Sequence, residues 1–280
     1  HLHGITDPLP QLFKSTIIPC MSIELMGKKL YFVYAPAILK EYIDELWNYE
    51  IEAYTVSDFS LLLPYLRMNA DAILFFNFET DKQALHKLQQ NISALRADES
   101  CKHIEIGLFS VRDLNSKYVE LSKTLQINCG YFIITDKQRV LQSILQICAQ
   151  KQVKGRRKYI RVKCPVNYAS FNFELNGLNI RGHIIDLSIA GMAVLLEDQE
   201  SLPPNIKIPN IQLNLHGTIL TIDGISYKTE ETRNVNGQQV NVILFDLKSL
   251  DKVKEEKIHS FIRRKLQKDF EDQLVSLQNT

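Results

Sequence analysis

The sequence lacks the features that mark membrane-spanning or strongly charged proteins. No apolar run approaches the roughly 18–20 residues that a bilayer-spanning helix requires. The 33 basic residues nearly balance the 32 acidic ones, which leaves a formal net charge of +1. No global field therefore points to DNA, a membrane surface or an acidic substrate, and any anion site must come from a local cluster. We expect a cytoplasmic protein without a membrane span.

Cysteines are few and scattered, and no C-x-x-C pair occurs among them. The five are Cys20, Cys101, Cys129, Cys148 and Cys164. A zinc site or a disulfide framework needs closer pairing than this spacing provides. The pattern predicts reduced, mostly buried thiols and no metal site.

The length of 280 residues, with 45% hydrophobic and 23% charged residues, is typical of a globular protein of two domains. We interpret residues 1–27 as an N-terminal extension. Its first ten residues show no charged stretch followed by an apolar one, so they do not resemble a signal peptide. The opening His-Leu-His-Gly is a candidate tag remnant.

Residues 28–150 alternate short apolar runs with longer amphipathic ones. The predicted strands are 29–34, 51–56, 72–78, 104–110 and 131–135. The predicted helices are 36–49, 58–67, 81–96, 111–125 and 137–150. This alternation predicts an α/β domain with a doubly wound, mainly parallel sheet. The order of elements resembles the receiver domain of response regulators.

A receiver holds Mg²⁺ and accepts a phosphoryl group through acids at the carboxyl ends of its strands. Here the first predicted strand ends in Val33-Tyr-Ala-Pro36 and the third in Phe75-Phe-Asn-Phe78, without an acid in either place. Ser110 and Lys137 match the hydroxyl and lysine of a receiver, but without the acids they assemble nothing. We predict a pseudo-receiver that is not phosphorylated in the receiver manner.

Three acids near the third predicted strand, Asp71, Glu79 and Asp81, leave two interpretations open. They are either active-site groups or, as we favour, solvated loop and helix-capping residues. Trp47 stands among aliphatic residues at helical spacing, which predicts a place in a core or an interface.

Residues 162–250 carry the pattern of a small antiparallel barrel. The predicted strands are 162–175, 179–187, 191–196, 206–215, 218–228 and 240–247. Asn176-Gly177, Leu202-Pro-Pro-Asn205 and Asn236-Gly237 supply turn signals between them. Six strands with this punctuation are typical of an all-β barrel.

A C-terminal helix and tail, 251–280, follow the predicted barrel, the helix itself running to about residue 270. Its apolar stripe comprises Val253, Ile258, Phe261, Ile262 and Leu266. The helix packs either across the barrel or against another subunit, so a homodimer stays open.

Two short motifs stand in this second half. The basic linker 151–161 ends in R-x-x-x-R, here Arg157-Lys-Tyr-Ile-Arg161. D/N-x-S-x-x-G, here Asp186-Leu-Ser188-Ile-Ala-Gly191, lies between the second and third predicted barrel strands. The first motif alone carries little information, and the second alone favours a simple turn. Both in this order, with a hairpin between them, resemble the PilZ family over residues 155–270.

The resemblance implies a cyclic di-GMP receptor, and the residue types suit that ligand. A guanidinium matches the O6/N7 edge of guanine, pairs with phosphate and lies over a base plane. Asp186 can accept hydrogen bonds from the guanine N1–H and N2 amino groups, Ser188 adds a smaller contact, and Gly191 keeps the turn tight and leaves room for a purine. The implied ligand residues are Arg157, Arg161, Asp186, Ser188 and Gly191, with Arg156 as either a third cationic contact or a solvated residue.

Our leading hypothesis is a non-enzymatic receptor without a cofactor, in which cyclic di-GMP pins the linker and changes the interdomain arrangement. An unidentified protein partner would then contact the N-terminal domain. The alternative is a protein-interaction module with an idle nucleotide site. No nucleophile–base pair suggests an enzyme, and the basic linker lacks the interleaved aromatic residues of a nucleic-acid binder. The family association suggests bacterial motility, adhesion or biofilm regulation.

The missing acids generate the first prediction. Incubation of the purified protein with a labelled small phosphodonor should leave it unlabelled, because no carboxylate stands where the phosphoacceptor is expected. A receiver with an intact acid cluster, treated in parallel, is the positive control. Stoichiometric label on the α/β domain would contradict the pseudo-receiver assignment.

Overall fold

The structure is a computed structural model of the chain. It describes residues 27–79, 81–154, 158–197, 201–227, 234–235 and 237–278.

The first part of the chain is an α/β domain around one parallel sheet. Its strands are β1 (Lys29–Val33), β2 (Ala53–Val56), β3 (Ala72–Asn77), β4 (Glu105–Ser110) and β5 (Tyr131–Ile133). They lie in the order β2-β1-β3-β4-β5 and all pair in parallel. The helices are α1 (Ala37–Leu46), α2 (Phe59–Met68), α3 (Lys82–Ala97), α4 (Asn115–Thr124) and α5 (Lys137–Gln150). The predicted doubly wound domain is confirmed.

Both faces of this sheet are buried, as the continuous apolar runs predicted. Leu30 and Phe32 of β1 point into one core, which α1 and α5 cover. Tyr31 and Val33 point into the other core, which α2 and α3 cover. Trp47, in the 3-10 turn that follows α1, is 3% exposed and packs in this second core, as predicted.

Aspartate side chains cap the N-termini of three helices of the α/β domain. Asp58 accepts a hydrogen bond from the Ser60 N–H, and Asp136 accepts one from the Arg139 N–H. Asp81 accepts bonds from two backbone N–H groups at the start of α3. These bonds satisfy donors that have no partner within a helix. The capping interpretation of Asp81 is therefore confirmed.

The second part of the chain is a closed antiparallel barrel. Its strands are β7 (Ala169–Leu175), β8 (Leu178–Ser188), β9 (Gly191–Leu196), β10 (Lys207–Leu215), β11 (Thr218–Tyr227) and β14 (Asn241–Phe245). They run in the order β8-β7-β10-β11-β14-β9, and β9 pairs with β8 to close the ring. A short strand, β6 (Val162–Lys163), joins the outer end of β8, and β12 (Asn234–Val235) and β13 (Gln238–Gln239) form a separate hairpin. The predicted six-stranded barrel is confirmed.

One strand prediction is wrong in a way that matters for the site. The predicted strand 162–175 is broken into β6 and β7 by a turn in which the Tyr168 N–H donates to the Pro165 carbonyl oxygen at 3.0 Å. Pro165 has no N–H to give to a strand ladder, and Asn167 adopts a left-handed φ of 70° that suits asparagine. Because of this break, β6 and β7 pair with opposite ends of β8.

The C-terminal helix, α6 (Lys252–Ser276), is longer than predicted and belongs to two cores. Ile258, Phe261 and Ile262 are buried in the barrel core. Further along, Phe270 and Leu274 are buried in the α/β core. The helix therefore packs across the barrel, one of the two predicted arrangements, and also joins the barrel to the α/β domain. Val253, predicted in the apolar stripe, is instead 62% exposed.

The cysteine prediction holds wherever the structure describes the residue. Four thiols are buried and free: Cys101, Cys129, Cys148 and Cys164. Burial raises the pKa of three of them, Cys129, Cys148 and Cys164, to about 12. Such thiols are poor nucleophiles at neutral pH. Cys20 lies outside the described residues.

The described residues show neither a membrane helix nor a metal cluster. None of the helices that they form has the length and apolar character to cross a bilayer. In the same ranges, no three His, Cys, Asp or Glu side chains are grouped so as to hold a metal ion.

The dual packing of α6 generates the second prediction. The Phe270 ring lies between three tyrosine rings of the α/β domain. The distances between ring centroids are 5.3 Å to Tyr31, 4.9 Å to Tyr54 and 5.2 Å to Tyr65. Phe270→Ala should lower the free energy of unfolding of this domain by about 3–5 kcal/mol, since it leaves a cavity among buried rings. Urea unfolding followed by the fluorescence of Trp47, the single tryptophan, measures the change.

The matched control is Val253→Ala on the exposed side of the same helix, which should change stability by less than about 0.5 kcal/mol. Equal urea midpoints for Phe270→Ala and the unmodified protein would contradict the assigned packing.

Candidate functional site

The two predicted motifs meet where β6 pairs with β8. Val162 is opposite Leu187, and Lys163 is opposite Asp186. Arg161, which is exposed, directly precedes β6. Continuing the antiparallel register by one residue sets the Arg161 backbone across from Ser188. Of the predicted arginines, the structure thus brings Arg161 next to the second motif, while Arg156 and Arg157 lie outside the described residues.

A β-bulge decides where Asp186 faces. On the β8–β9 pair, Ile184 is opposite Val194 but Asp186 is opposite Ala193, so β8 contains one extra residue. Ile184 and Leu187 are both fully buried although they are three positions apart, an odd spacing that a regular strand would place on opposite faces. Without the bulge, Asp186 would share the inward face of Ile184, where an ionised carboxylate is costly. With it, Asp186 faces outward, and bulges are frequent beside functional sites.

Ser188 is bound to the turn that follows it. Its Oγ donates to the Gly191 carbonyl oxygen and accepts from the Ala190 N–H, both at 3.3 Å, and the residue is 5% exposed. These bonds stabilise the two-residue connection between β8 and β9. These contacts support the interpretation of the second motif as a turn, which Ser188 stabilises.

Gly191 is required by the close approach of another strand. A Cβ at this position would lie 2.4 Å from the Ile243 carbonyl oxygen and 3.0 Å from the Leu244 Cα. Glycine therefore lets β14 pair closely with β9. The sequence predicted a tight turn and room for a purine at Gly191, but it gave no signal of this cross-strand contact.

The outer barrel surface beside the motif is apolar. Across β9, β14 and β11, Gly191 pairs with Leu244, which pairs with Ile225. Two residues along, Ala193 pairs with Val242, which pairs with Tyr227. Leu244 is 41% exposed and Tyr227 is 53% exposed. Neither sequence motif includes these residues, although the alternation of side chains along a strand places them on the outside of the barrel. Flat apolar surface thus extends from the Asp186–Gly191 segment.

Ser110 at the end of β4 and Lys137 at the start of α5 both have partners in the structure. The Ser110 Oγ donates to the Arg112 carbonyl oxygen, and the Lys137 Nζ pairs with Glu45 at 2.7 Å. At the end of β3, the Asn77 amide donates to Glu79 Oε1 at 3.1 Å. The hydroxyl and lysine that sequence analysis matched to a receiver are therefore engaged in local contacts.

The sequence matches no protein-family model and no curated protein. Solved structures do match. The PilZ domain of YcgR from Escherichia coli, solved with c-di-GMP, is 20% identical with a TM-score of 0.36, covering 42% of this chain and 96% of that chain. YcgR from Escherichia coli in complex with c-di-GMP is 18% identical with a TM-score of 0.36, covering 45% of this chain and 51% of that chain. The alignment thus spans about half the length of that YcgR structure.

A third match is the phosphorylated cyanobacterial phytochrome response regulator RcpA. It is 17% identical with a TM-score of 0.35, covering 45% of this chain and 95% of that chain. We refer below to the PilZ-like barrel and the receiver-like domain, after the resemblances that the motifs and the order of elements carry.

The environment of Gly191 in the PilZ-like barrel generates the third prediction. Gly191→Ala should lower the free energy of unfolding by about 1–3 kcal/mol, because the added methyl group overlaps the β14 backbone. Urea unfolding followed by far-ultraviolet circular dichroism measures the loss.

Gly217→Ala is the comparison variant. Its added Cβ meets no atom within 4 Å, so only its left-handed backbone, with φ at +88°, opposes the change. A loss for Gly191→Ala no larger than that for Gly217→Ala would contradict a role for strand approach.

Proposed function

We propose that the protein is a cyclic di-GMP receptor whose ligand binds on the outside of the PilZ-like barrel. The observation that carries this proposal is the β6–β8 pairing, which brings the end of R-x-x-x-R to the D/N-x-S-x-x-G segment. Cyclic di-GMP is the ligand that the motifs imply, and both YcgR structures were solved with it.

Each group proposed for the site has a chemical task that suits the ligand. Arg161 is exposed directly before β6, where its guanidinium can reach a phosphate or the O6/N7 edge of a guanine. Asp186 faces outward opposite Lys163, two positions along the strand pair from Arg161, and can accept from guanine N1–H and N2–H₂. Arg157, with Arg156 as a further cation, would close over the ligand from the linker. Gly191 and Ser188 keep the β8–β9 turn low enough for a ring to approach.

The apolar surface around Leu244 and Tyr227 gives the proposed ligand a second kind of contact. Purine rings lose water-exposed area when they lie on such side chains. A site that combines a carboxylate, guanidinium groups and an apolar surface suits an anionic ligand with planar purine rings better than a ligand without such rings.

We further propose that the receptor acts without catalysis, by changing how the linker lies between its two domains. The α6 helix packs in both cores, so the domains are already joined at that side. Ligand binding would therefore act at the linker. A ligand that binds one arrangement of the linker more tightly shifts the equilibrium between the arrangements toward it. A protein partner would respond to that arrangement through the receiver-like domain.

The fourth prediction tests the arginine contacts. Isothermal titration calorimetry should detect cyclic di-GMP binding to the unmodified protein and lose it in Arg157→Ala and Arg161→Ala, with thermal unfolding nearly unchanged. Each variant removes a charge-assisted contact with the ligand, and Arg161 is exposed, so the loss should fall on binding rather than on folding.

Two controls sharpen this test. Arg112→Ala removes an exposed arginine of the receiver-like domain and should bind normally. Cyclic di-AMP keeps both phosphates but lacks the donors that Asp186 would recognise, so it should bind far more weakly. Full affinity in both linker variants would exclude the clamp, and no heat with the unmodified protein would favour an interaction module with an idle nucleotide site.

A further inference from the structure

Ile160, the last residue between the two arginines of R-x-x-x-R, is hydrogen-bonded to the receiver-like domain. The backbone N–H of Ile160 donates to Glu50 Oε2 at 2.6 Å, across 110 positions of sequence. Glu50 ends the 3-10 turn after α1 in a left-handed conformation, with φ at 57° and ψ at 44°. A carboxylate of one domain thus holds the backbone of the segment that carries the arginines of the other.

The side chain of Ile160 lies at the junction of both domains. It is half-buried and packs against the α/β core as well as the barrel core. Leu266 of α6 does the same. Of the residues between the two arginines, Lys158 is exposed, Tyr159 packs against the barrel core and Ile160 packs between the domains.

Glu50 is a desolvated acceptor, which strengthens its bond to Ile160. Its side chain is 14% exposed, and burial raises the pKa of the carboxyl, an effect that the Ile160 N–H and the nearby Lys154 oppose. On the α6 side, His259 Nε2 lies 3.9 Å from Glu50 and 3.8 Å from Glu255. Burial lowers the pKa of His259. In such a poorly hydrated place, a hydrogen bond to a carboxylate is worth more than on the surface.

We propose that Glu50 is a positioning residue for the cyclic di-GMP site: by holding the Ile160 amide, it fixes the direction in which Arg161 leaves the junction toward Asp186. This inference rests on the proposed function. Because coupling between two events is reciprocal, a ligand that orders the arginine segment also strengthens the contact with the receiver-like domain. The residue thereby connects ligand binding to a domain that the motifs do not include.

Two substitutions separate this role from a general effect on folding. Glu50→Asn keeps a residue type that tolerates the left-handed backbone but withdraws the acceptor from Ile160. Glu50→Gln keeps the length and one acceptor oxygen while removing the charge. Glu256→Ala on α6 is the matched control, because it removes an exposed glutamate three positions before His259. Thermal unfolding of each full-length variant confirms that it is folded.

The first readout is the affinity for cyclic di-GMP by calorimetry. Glu50→Asn should weaken binding roughly tenfold, because the arginine segment is less often in the competent arrangement. Glu50→Gln should stay within roughly threefold of the unmodified protein, and Glu256→Ala should match it. The second readout needs no ligand: amide hydrogen exchange of residues 158–163 should be faster in Glu50→Asn than in the other proteins.

The outcomes distinguish this inference from the function on which it rests. If the unmodified protein does not bind cyclic di-GMP, the proposed function is wrong and the positioning role falls with it. If it binds and Glu50→Asn binds equally well, the positioning role alone is wrong. Unchanged exchange at 158–163, or a Glu50→Gln variant as weak as Glu50→Asn, would also overturn it, since neither fits a role that depends on the hydrogen bond.

Discussion

The two-residue pairing of β6 with β8 is the contact on which the candidate site depends. It exists because Pro165 and Asn167 end β6 early and let the chain turn before β7 begins. An unbroken strand in the register of β7 would set Asn167 opposite Asp186 and would carry Arg161 past the end of β8. A bulge in β8 then turns Asp186 outward at the level where β6 attaches. Two local irregularities therefore bring together groups that regular strands would keep apart.

The α6 helix supplies the larger-scale constraint. Its first half fills the barrel core, and Phe270 fills a gap among tyrosine rings on the β1–β2 side of the parallel sheet. A helix shared by two cores transmits displacement from one to the other, because packed interiors deform little. The junction at Ile160 lies where this helix, the linker and the 3-10 turn meet.

Local sequence patterns were enough to predict both folds. Alternating apolar runs located the strands and helices of the α/β domain, since those periods reflect burial on one or two faces. They did not reveal the break at Pro165, where the residues on both sides still alternate like one strand. Nor could they reveal that Gly191 faces β14 or that Phe270 enters the other domain. Such contacts depend on strand register and long-range packing, which the spacing of apolar residues within one segment does not predict.

The acids that a receiver carries at the ends of its first and third strands are absent from this sequence, and both faces of the sheet are nevertheless packed. The contacts with the second half described above lie elsewhere in the domain. Glu50, which bonds to Ile160, lies between α1 and β2, and the tyrosines around Phe270 belong to β1, β2 and α2. These contacts use a buried face and one turn of the domain rather than the carboxyl ends of its strands. The packing of Phe270 and the bond to Ile160 are therefore independent of the strand ends where receiver chemistry would take place.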